Sequence, residues 1–172
     1  MREATVCHLR QGINGHTRIL LGKRVSLFCN GIWNGPGGKM EPNETIANCA
    51  YREVKEEIAV KLDIKSLHHY ATADFYHPQP TGHILEWKVP FLWVDRWKLE
   101  PKLVNGFSDL QWFSVTSLPF DKMMTDQRIW LPHVINNSYD HKIAAVQIYY
   151  GNSKLESVVD HSIKFIDRPI RH

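Results

Sequence analysis

Trp33-Asn34-Gly35-Pro36-Gly37-Gly38-Lys39, followed by Glu44 and then by Arg52-Glu53-Val54-Lys55-Glu56-Glu57, is the stretch around which this chain is organised. A glycine-rich loop leads into Thr45 to Ile58, which contains neither proline nor glycine and is rich in good helix formers. Pro42 punctuates the start, and Asn43 or Thr45 is placed to cap the helix. Ile46, Ala50, Val54 and Ile58 recur every fourth residue, the spacing of a buried stripe. At about 100° per residue, Glu53, Glu56 and Glu57 fall on one arc beside that stripe. Asn48, Tyr51, Lys55 and Arg52 are left for the outer face. Acids crowded on one short arc repel each other, so a positive partner belongs there. Glu-x-x-Glu-Glu alone is ordinarily a solvated helix face. With the glycine-rich loop beside it, such a patch suits gripping a hard divalent cation beside a phosphate chain.

Magnesium, with manganese as a substitute, takes oxygen ligands and keeps several waters, so two or three carboxylates plus substrate phosphate suffice. Glu53, Glu56 and Glu57 supply such oxygens, and the Gly38 carbonyl can add one. Phosphoryl transfer asks a protein mainly to position groups and stabilise developing charge. Glu53 is the favoured water-orienting or basic carboxylate, held by Arg52 or Lys39, with Glu56 and Glu57 as metal ligands.

The remaining sequence bounds the answer. At 172 residues the chain suits one domain, 1–172, large enough to bury a real core. No apolar run approaches the ~18 residues of a membrane span, and Met1 to Thr5 lacks an apolar signal region. Cys7, Cys29 and Cys49 have neither metal-site spacing nor an even count, which points to reduced thiols in the cytoplasm. A net charge of +3 is too small to argue for nucleic-acid binding. The ten histidines are scattered rather than grouped for zinc.

Glu3 to Arg10 and Thr17 to Lys23 read as strands joined by a turn at Gly12-Ile13-Asn14-Gly15. Arg24 to Gly31 reads as a loop. Leu67 to Tyr76 and Ile84 to Val94 are strand-like, split by Pro78-Gln79-Pro80-Thr81-Gly82, and Pro90 implies an edge or a bulge. Leu110 to Val115 is a further strand, Asp126 to Val134 a helix, and Ala144 to Tyr150 with Leu155 to Ile166 a final strand pair. Strands with two helices dispersed among them argue α+β or a layered α/β/α arrangement.

Read as one string, Gly38, Glu44, Arg52-Glu53, Val54, Glu56-Glu57 and the aliphatic Val60 resemble the Nudix box, the single departure being Ala59 where that family has glycine. Alanine at φ > 0 would cost about 1 kcal/mol, unless the helix ends differently. The resemblance implies the Nudix fold, a mixed β-sheet sandwiched between α-helices, and implies that Glu44 is an outer ligand or pairs with Arg52. Leu20-Leu21-Gly22-Lys23-Arg24, Trp33-Asn34-Gly35, Trp112-Phe113, Leu118 to Met123 and Asp126 with Trp130-Leu131-Pro132 extend the likeness to the MutT-homologue oxidised-purine nucleoside triphosphatases. In that group the residues matched by Asn34 and Asp126 bind the purine edge. A tryptophan stacks on the base where Met124 stands, and a second aspartate occupies the position of Gln127.

The expected base pocket therefore has walls from Phe28 or Leu27, Met124 and Trp130, a floor at Thr5, and Arg24, Asn34, Asp126 and Gln127 in contact with substrate. The implied activity is cleavage of a nucleotide such as 8-oxo-dGTP, with 2-oxo-dATP as a further substrate, to monophosphate and pyrophosphate. The expected partner is this small molecule, with no nucleic acid, no membrane and a monomeric protein. The rival readings are cleavage of a dinucleotide polyphosphate or nucleotide sugar, and a nucleotide-binding regulator without chemistry.

Overall fold

The structure is a computed structural model that describes residues 1–13, 16–26, 29–135 and 142–167. Strands β1 (Arg2–Glu3), β2 (Val6–Ile13), β3 (His16–Arg24) and β4 (Trp33–Asn34) precede helix α1 (Ile46–Ile58). Next come β5 (Lys61–Leu62), β6 (Leu67–Gln79), β7 (Gly82–Val94), β8 (Trp97–Lys98) and β9 (Phe107–Ser114), then helix α2 (Gln127–Ile135), and last β10 (Lys142–Tyr150) and β11 (Val158–Asp167). The large sheet runs β11-β10-β6-β7-β2-β3-β4, with β1 on β7 and β9 on β3. β6 and β7 form an antiparallel hairpin, whereas β10 on β6 and β2 on β7 are parallel, so the sheet is mixed. β2 pairs with β3 as far as Ile13 opposite His16, and Asn14 and Gly15 of the expected turn lie outside the described residues.

Alternation along the central strands builds a core on each face. Leu20, Leu92 and Val94 join Cys7 and Leu9 in packing against Ala50, Val54 and Ile58 of α1. Their neighbours Ile19, Leu21, Phe91 and Trp93 pack with Trp130, Leu131, Val134 and Ile135 of α2 on the other side. This is an α+β sandwich, a mixed sheet between two helices, as the resemblance implies.

At the start of α1, the Thr45 Oγ1 accepts from the Asn48 N–H at 3.2 Å and settles which residue caps it. Asn43 adopts φ 64° instead. The expected stripe needs one correction: Ile46 is 41% exposed. Steps of four residues overshoot a full turn by about 40°, so the buried face drifts and passes through Cys49, Ala50, Val54, Glu57 and Ile58. Tyr51, expected to face outward, is partly buried against the α1 core. Ala59 ends the helix in the left-handed conformation, φ 59°, with its N–H donating to Lys55 O. The helix thus closes as glycine would close it, with a Cβ in a region that disfavours one.

Pro90 also departs from expectation. β7 is interior, bonded to β6 along one side and to β1 and β2 along the other. The ladder bulge adjacent to it is in β6, around Tyr70. Lys88, two residues earlier and therefore facing the same neighbour, accepts from the Ala4 N–H at 3.3 Å. The N–H that proline lacks therefore faces β1 and β2, and pairing there is interrupted at Ala4 and Thr5 while the register stays the same on either side, Glu3 with Lys88 and Val6 with Phe91. A central proline is accommodated by one missing rung.

Candidate active site

The glycine-rich loop lies along the free side of the first strands. Cys7 N–H donates to Pro36 O at 2.7 Å, Thr5 N–H to Gly38 O at 2.9 Å and Met40 N–H to Glu3 O at 3.0 Å. This contact is close enough to demand glycine: at Gly37, φ 149°, a Cβ would stand 2.1 Å from Thr5 O. At Gly38 a Cβ would stand 2.5 Å from the Glu53 carboxyl group, so the loop backbone and that carboxylate face each other directly.

Two arginines tie the loop to the acids of α1. Arg24 bonds to Glu57 Oε1 and donates to Gly35 O at 3.1 Å and Gly37 O at 2.8 Å, its guanidinium lying 4.3 Å from the Phe107 ring centroid. Glu57 Oε2 accepts the Gly37 N–H at 2.9 Å. Burial pushes the Glu57 pKa upward, opposed by Arg24 and by that amide. Arg52 forms a fork on Glu44, Nε to Oε1 and Nη2 to Oε2 both at 2.9 Å, while Nη1 donates to Glu53 Oε1 at 2.8 Å and Nη2 to Lys39 O at 3.0 Å. Its hydrogen bonds hold Glu44 down to about 2. Glu44 is thus the partner of Arg52, and Arg52 is the residue that holds Glu53. Lys39 is placed elsewhere, its Nζ 5.7 Å from the Trp87 ring centroid. Glu56 projects into solvent, its side chain 57% exposed, 3.5 Å from Arg52.

Among the described residues no three His, Cys, Asp or Glu side chains converge as a ready metal-binding group. Glu53 and Glu57 are engaged by arginines, Glu56 is largely exposed at 3.5 Å from Arg52, and the Gly38 carbonyl accepts from Thr5. The donor set is nonetheless all oxygen, the kind a hard divalent cation takes. Glycine at 38 also leaves the space over the Glu53 carboxylate unfilled.

Across the same loop, on the α2 face of the sheet, lies a cavity of about 270 Å³. Thr5, Arg24, Asn34, Met124, Asp126 and Gln127 all line it, as do Gly37 and Gly38. Trp130 does not. It is fully buried behind the wall, edge-on to Phe91 at 4.8 Å, and donates from Nε1 to Asp126 Oδ2 at 2.8 Å. The expected wall is therefore a support for Asp126, the indole being drawn into the α2 core. Leu27 and Phe28 lie outside the described residues. Asp126 Oδ1 accepts from the Tyr150 hydroxyl at 2.9 Å, and burial raises the Asp126 pKa, against the two donated bonds. Phe75, His77, Trp87 and Tyr150 complete the apolar lining and were not singled out from the sequence. For the first three the signal was the two-residue alternation of β6 and β7, which sets Phe75 with His77 and Trp87 with Val89 on one face; Tyr150 ends β10.

The profile of the NUDIX domain matches residues 1–134. The chain belongs to the NUDIX family. As a Nudix hydrolase it joins enzymes that generally use a divalent metal ion, in keeping with the oxygen donors on α1. The oxidized purine nucleoside triphosphate hydrolase of Danio rerio is 33% identical over 115 residues, spanning 67% of this chain and 70% of that protein. The 8-oxo-dGTP diphosphatase of Proteus vulgaris is 30% identical over 103 residues, 58% of this chain and 86% of that protein. Among solved structures, the mutator MutT protein from Bacillus halodurans superposes with a TM-score of 0.73 at 16% identity, covering 95% of this chain and 97% of that one. No helix of this Nudix hydrolase, among the described residues, is long and apolar enough to cross a membrane.

Proposed function

We propose that the protein is a magnesium-dependent pyrophosphohydrolase, with manganese as a substitute ion, that converts oxidised purine deoxynucleoside triphosphates to monophosphate and pyrophosphate. The preferred substrate is 8-oxo-dGTP, with 2-oxo-dATP next. One observation carries the reading: the cavity with Asn34, Asp126 and Gln127 shares Gly37 and Gly38 with the Glu53 and Glu57 cluster. A base in the cavity would leave its phosphates toward the acids of α1. The names of the relatives from Danio rerio and Proteus vulgaris agree with it.

In this reading Glu56 and Glu57 would hold the cation, with Glu53 and the Gly38 carbonyl nearby, and a bound ion would supply charge neutralisation and a more acidic water. Glu53 orients the water and takes its proton, while Arg52 fixes the carboxylate. Glu44 fixes Arg52. Water attacks a phosphoryl group, the P–O bond to the pyrophosphate or nucleotide side breaks, and one proton is released. The cavity excludes water from the base, and its amides and carboxyl read the base's hydrogen-bonding edge. A hydrogen-bonding pocket discriminates strongly because a mismatched base leaves buried groups unpaired, at about 1–3 kcal/mol each. The protein acts as one domain over 1–172, as a monomer in the cytoplasm, without nucleic-acid or membrane partners.

The test is turnover of 8-oxo-dGTP against dGTP, with pyrophosphate measured as phosphate after adding pyrophosphatase. Preference for the oxidised nucleotide is expected, and equal rates would remove the sanitising role while leaving the hydrolase. Met124 and Gln127, which replace a tryptophan and an aspartate of the resembled group, favour a second reading in which a dinucleotide polyphosphate or nucleotide sugar is the better substrate. The same assay with those compounds decides between them.

A further inference from the structure

The last strand leaves one edge of the large sheet open. β11 pairs with β10, and no other described strand pairs with its outer side. An unpaired edge of ten residues is a template for a further strand. One amide marks the outward row. His161 N–H donates to Oδ1 of the adjacent Asp160 at 2.8 Å, a side chain standing where a neighbouring strand would offer a carbonyl. By alternation, Ile163 and Phe165 turn their backbone groups the same way. The strand also exposes apolar surface, with Val159 at 61%, Phe165 at 40% and Ile166 at 51%, beside the exposed charges of Asp160 and Lys164.

Two antiparallel copies of one strand, related by a two-fold axis, have their register set by the residue that meets itself. With Ser162 on the axis, His161 faces Ile163 of the second copy, and the two exchange both backbone bonds. Asp160 then faces Lys164, and Val159 faces Phe165, each pair occurring twice. Moving the axis by one residue loses this. About Ile163, Asp160 faces Ile166; about His161, Lys164 faces Val158. Only the Ser162 register joins the opposite charges while setting apolar against apolar.

We propose that two copies of this chain associate through their β11 edges, antiparallel about Ser162, so that their sheets become continuous. In the pair, the Ile163 carbonyl of the second copy takes over the His161 N–H, and Asp160 is released to Lys164. The single chain remains the catalytic unit, since the cavity and the α1 acids of each site come from one copy. A contact one strand wide is smaller than the ~1,600 Å² of a standard interface, so it forms and dissolves with concentration. The pairing does not depend on which nucleotide is cleaved.

Sedimentation velocity of the whole protein from roughly 5 to 500 μM reads the association. The wild type is expected to pass from one copy to two across that range. Asp160→Lys and Lys164→Asp each set like charges opposite one another at both positions, and each should weaken association about tenfold or more. An equimolar mixture of the two variants brings opposite charges together again at both positions. It should associate within about threefold of the wild type, as should the chain carrying both exchanges. Both residues are exposed, and unchanged melting temperatures confirm that the variants fold. A wild type that stays single throughout overturns the pairing. Dimers indifferent to both reversals, or a mixture that associates no better than its components, overturn it equally.

Discussion

The two sides of the Gly37-Gly38 loop treat their acids in opposite ways. On and just before α1, Glu53 and Glu44 lie against Arg52 and Glu57 against Arg24. In the cavity, Asp126 meets an indole N–H and a phenol hydroxyl and, among the described residues, no ion-pair partner, and burial raises its pKa. Asn34 and Gln127 beside it are neutral amides. Charge is concentrated beside α1, where phosphate chemistry is proposed; in the cavity proposed to read a base, the lining cation Arg24 is bonded to Glu57 rather than to Asp126. An ionised group in a small apolar cavity would need its own counter-charge, whereas fixed dipoles discriminate without one.

The largest effect that would sharpen this contrast is on chemistry. Glu53→Gln removes the proposed base while keeping its shape, and should lower kcat by roughly 10²–10⁴ with an unchanged melting temperature. Asp126→Asn should act mainly on KM and base preference. Equal losses of kcat from both variants would erase the distinction between the two regions. Next in size, Arg52→Ala strips Glu44 and Glu53 of their shared cation and should destabilise the fold by about 1.5–3 kcal/mol in urea denaturation. A change below about 0.5 kcal/mol would show that solvent already screens the clamp.

The smallest effect, and the sharpest in sign, is on pH. Glu44 sits at about 2, below its ordinary 4.5, so its contribution is present above 4.5 and is lost as pH falls toward 2. Asp126 is raised above 3.8, so its contribution is present below 3.8 and is lost as pH rises through the folded value. Glu44→Gln should therefore flatten the acid limb of a stability–pH curve, and Asp126→Asn the limb that falls on the alkaline side of 3.8. Curves altered in the same direction would contradict the opposed environments.

Much of this arrangement was legible in the residues. The spacing of α1 placed Glu53, Glu56 and Glu57 together, and strand alternation gave the long hairpin and the final pair nearly to their ends. The short β5–β8 pair escaped notice because two residues carry no period. The choice between Arg52 and Lys39 was not legible for a physical reason: a flexible lysine can reach an aromatic face as readily as a carboxylate, and here Lys39 lies over Trp87. Trp130 was placed in the cavity wall because sequence cannot tell an indole that stacks on a ligand from one that braces the residue beside it. The closure of the Arg24 and Arg52 clamps depends on backbone carbonyls at Gly35, Gly37 and Lys39, which no side-chain pattern records.

The rung absent opposite Pro90 lies beneath the cavity, whose floor includes Ala4, Thr5 and Val89. A sheet laced at every position resists bending; one stitch short, it is most compliant at that point. The floor is thus the part of the pocket best suited to yield under a thicker ligand, while its own amides stay bonded, Ala4 N–H to Lys88 O and Thr5 N–H to Gly38 O.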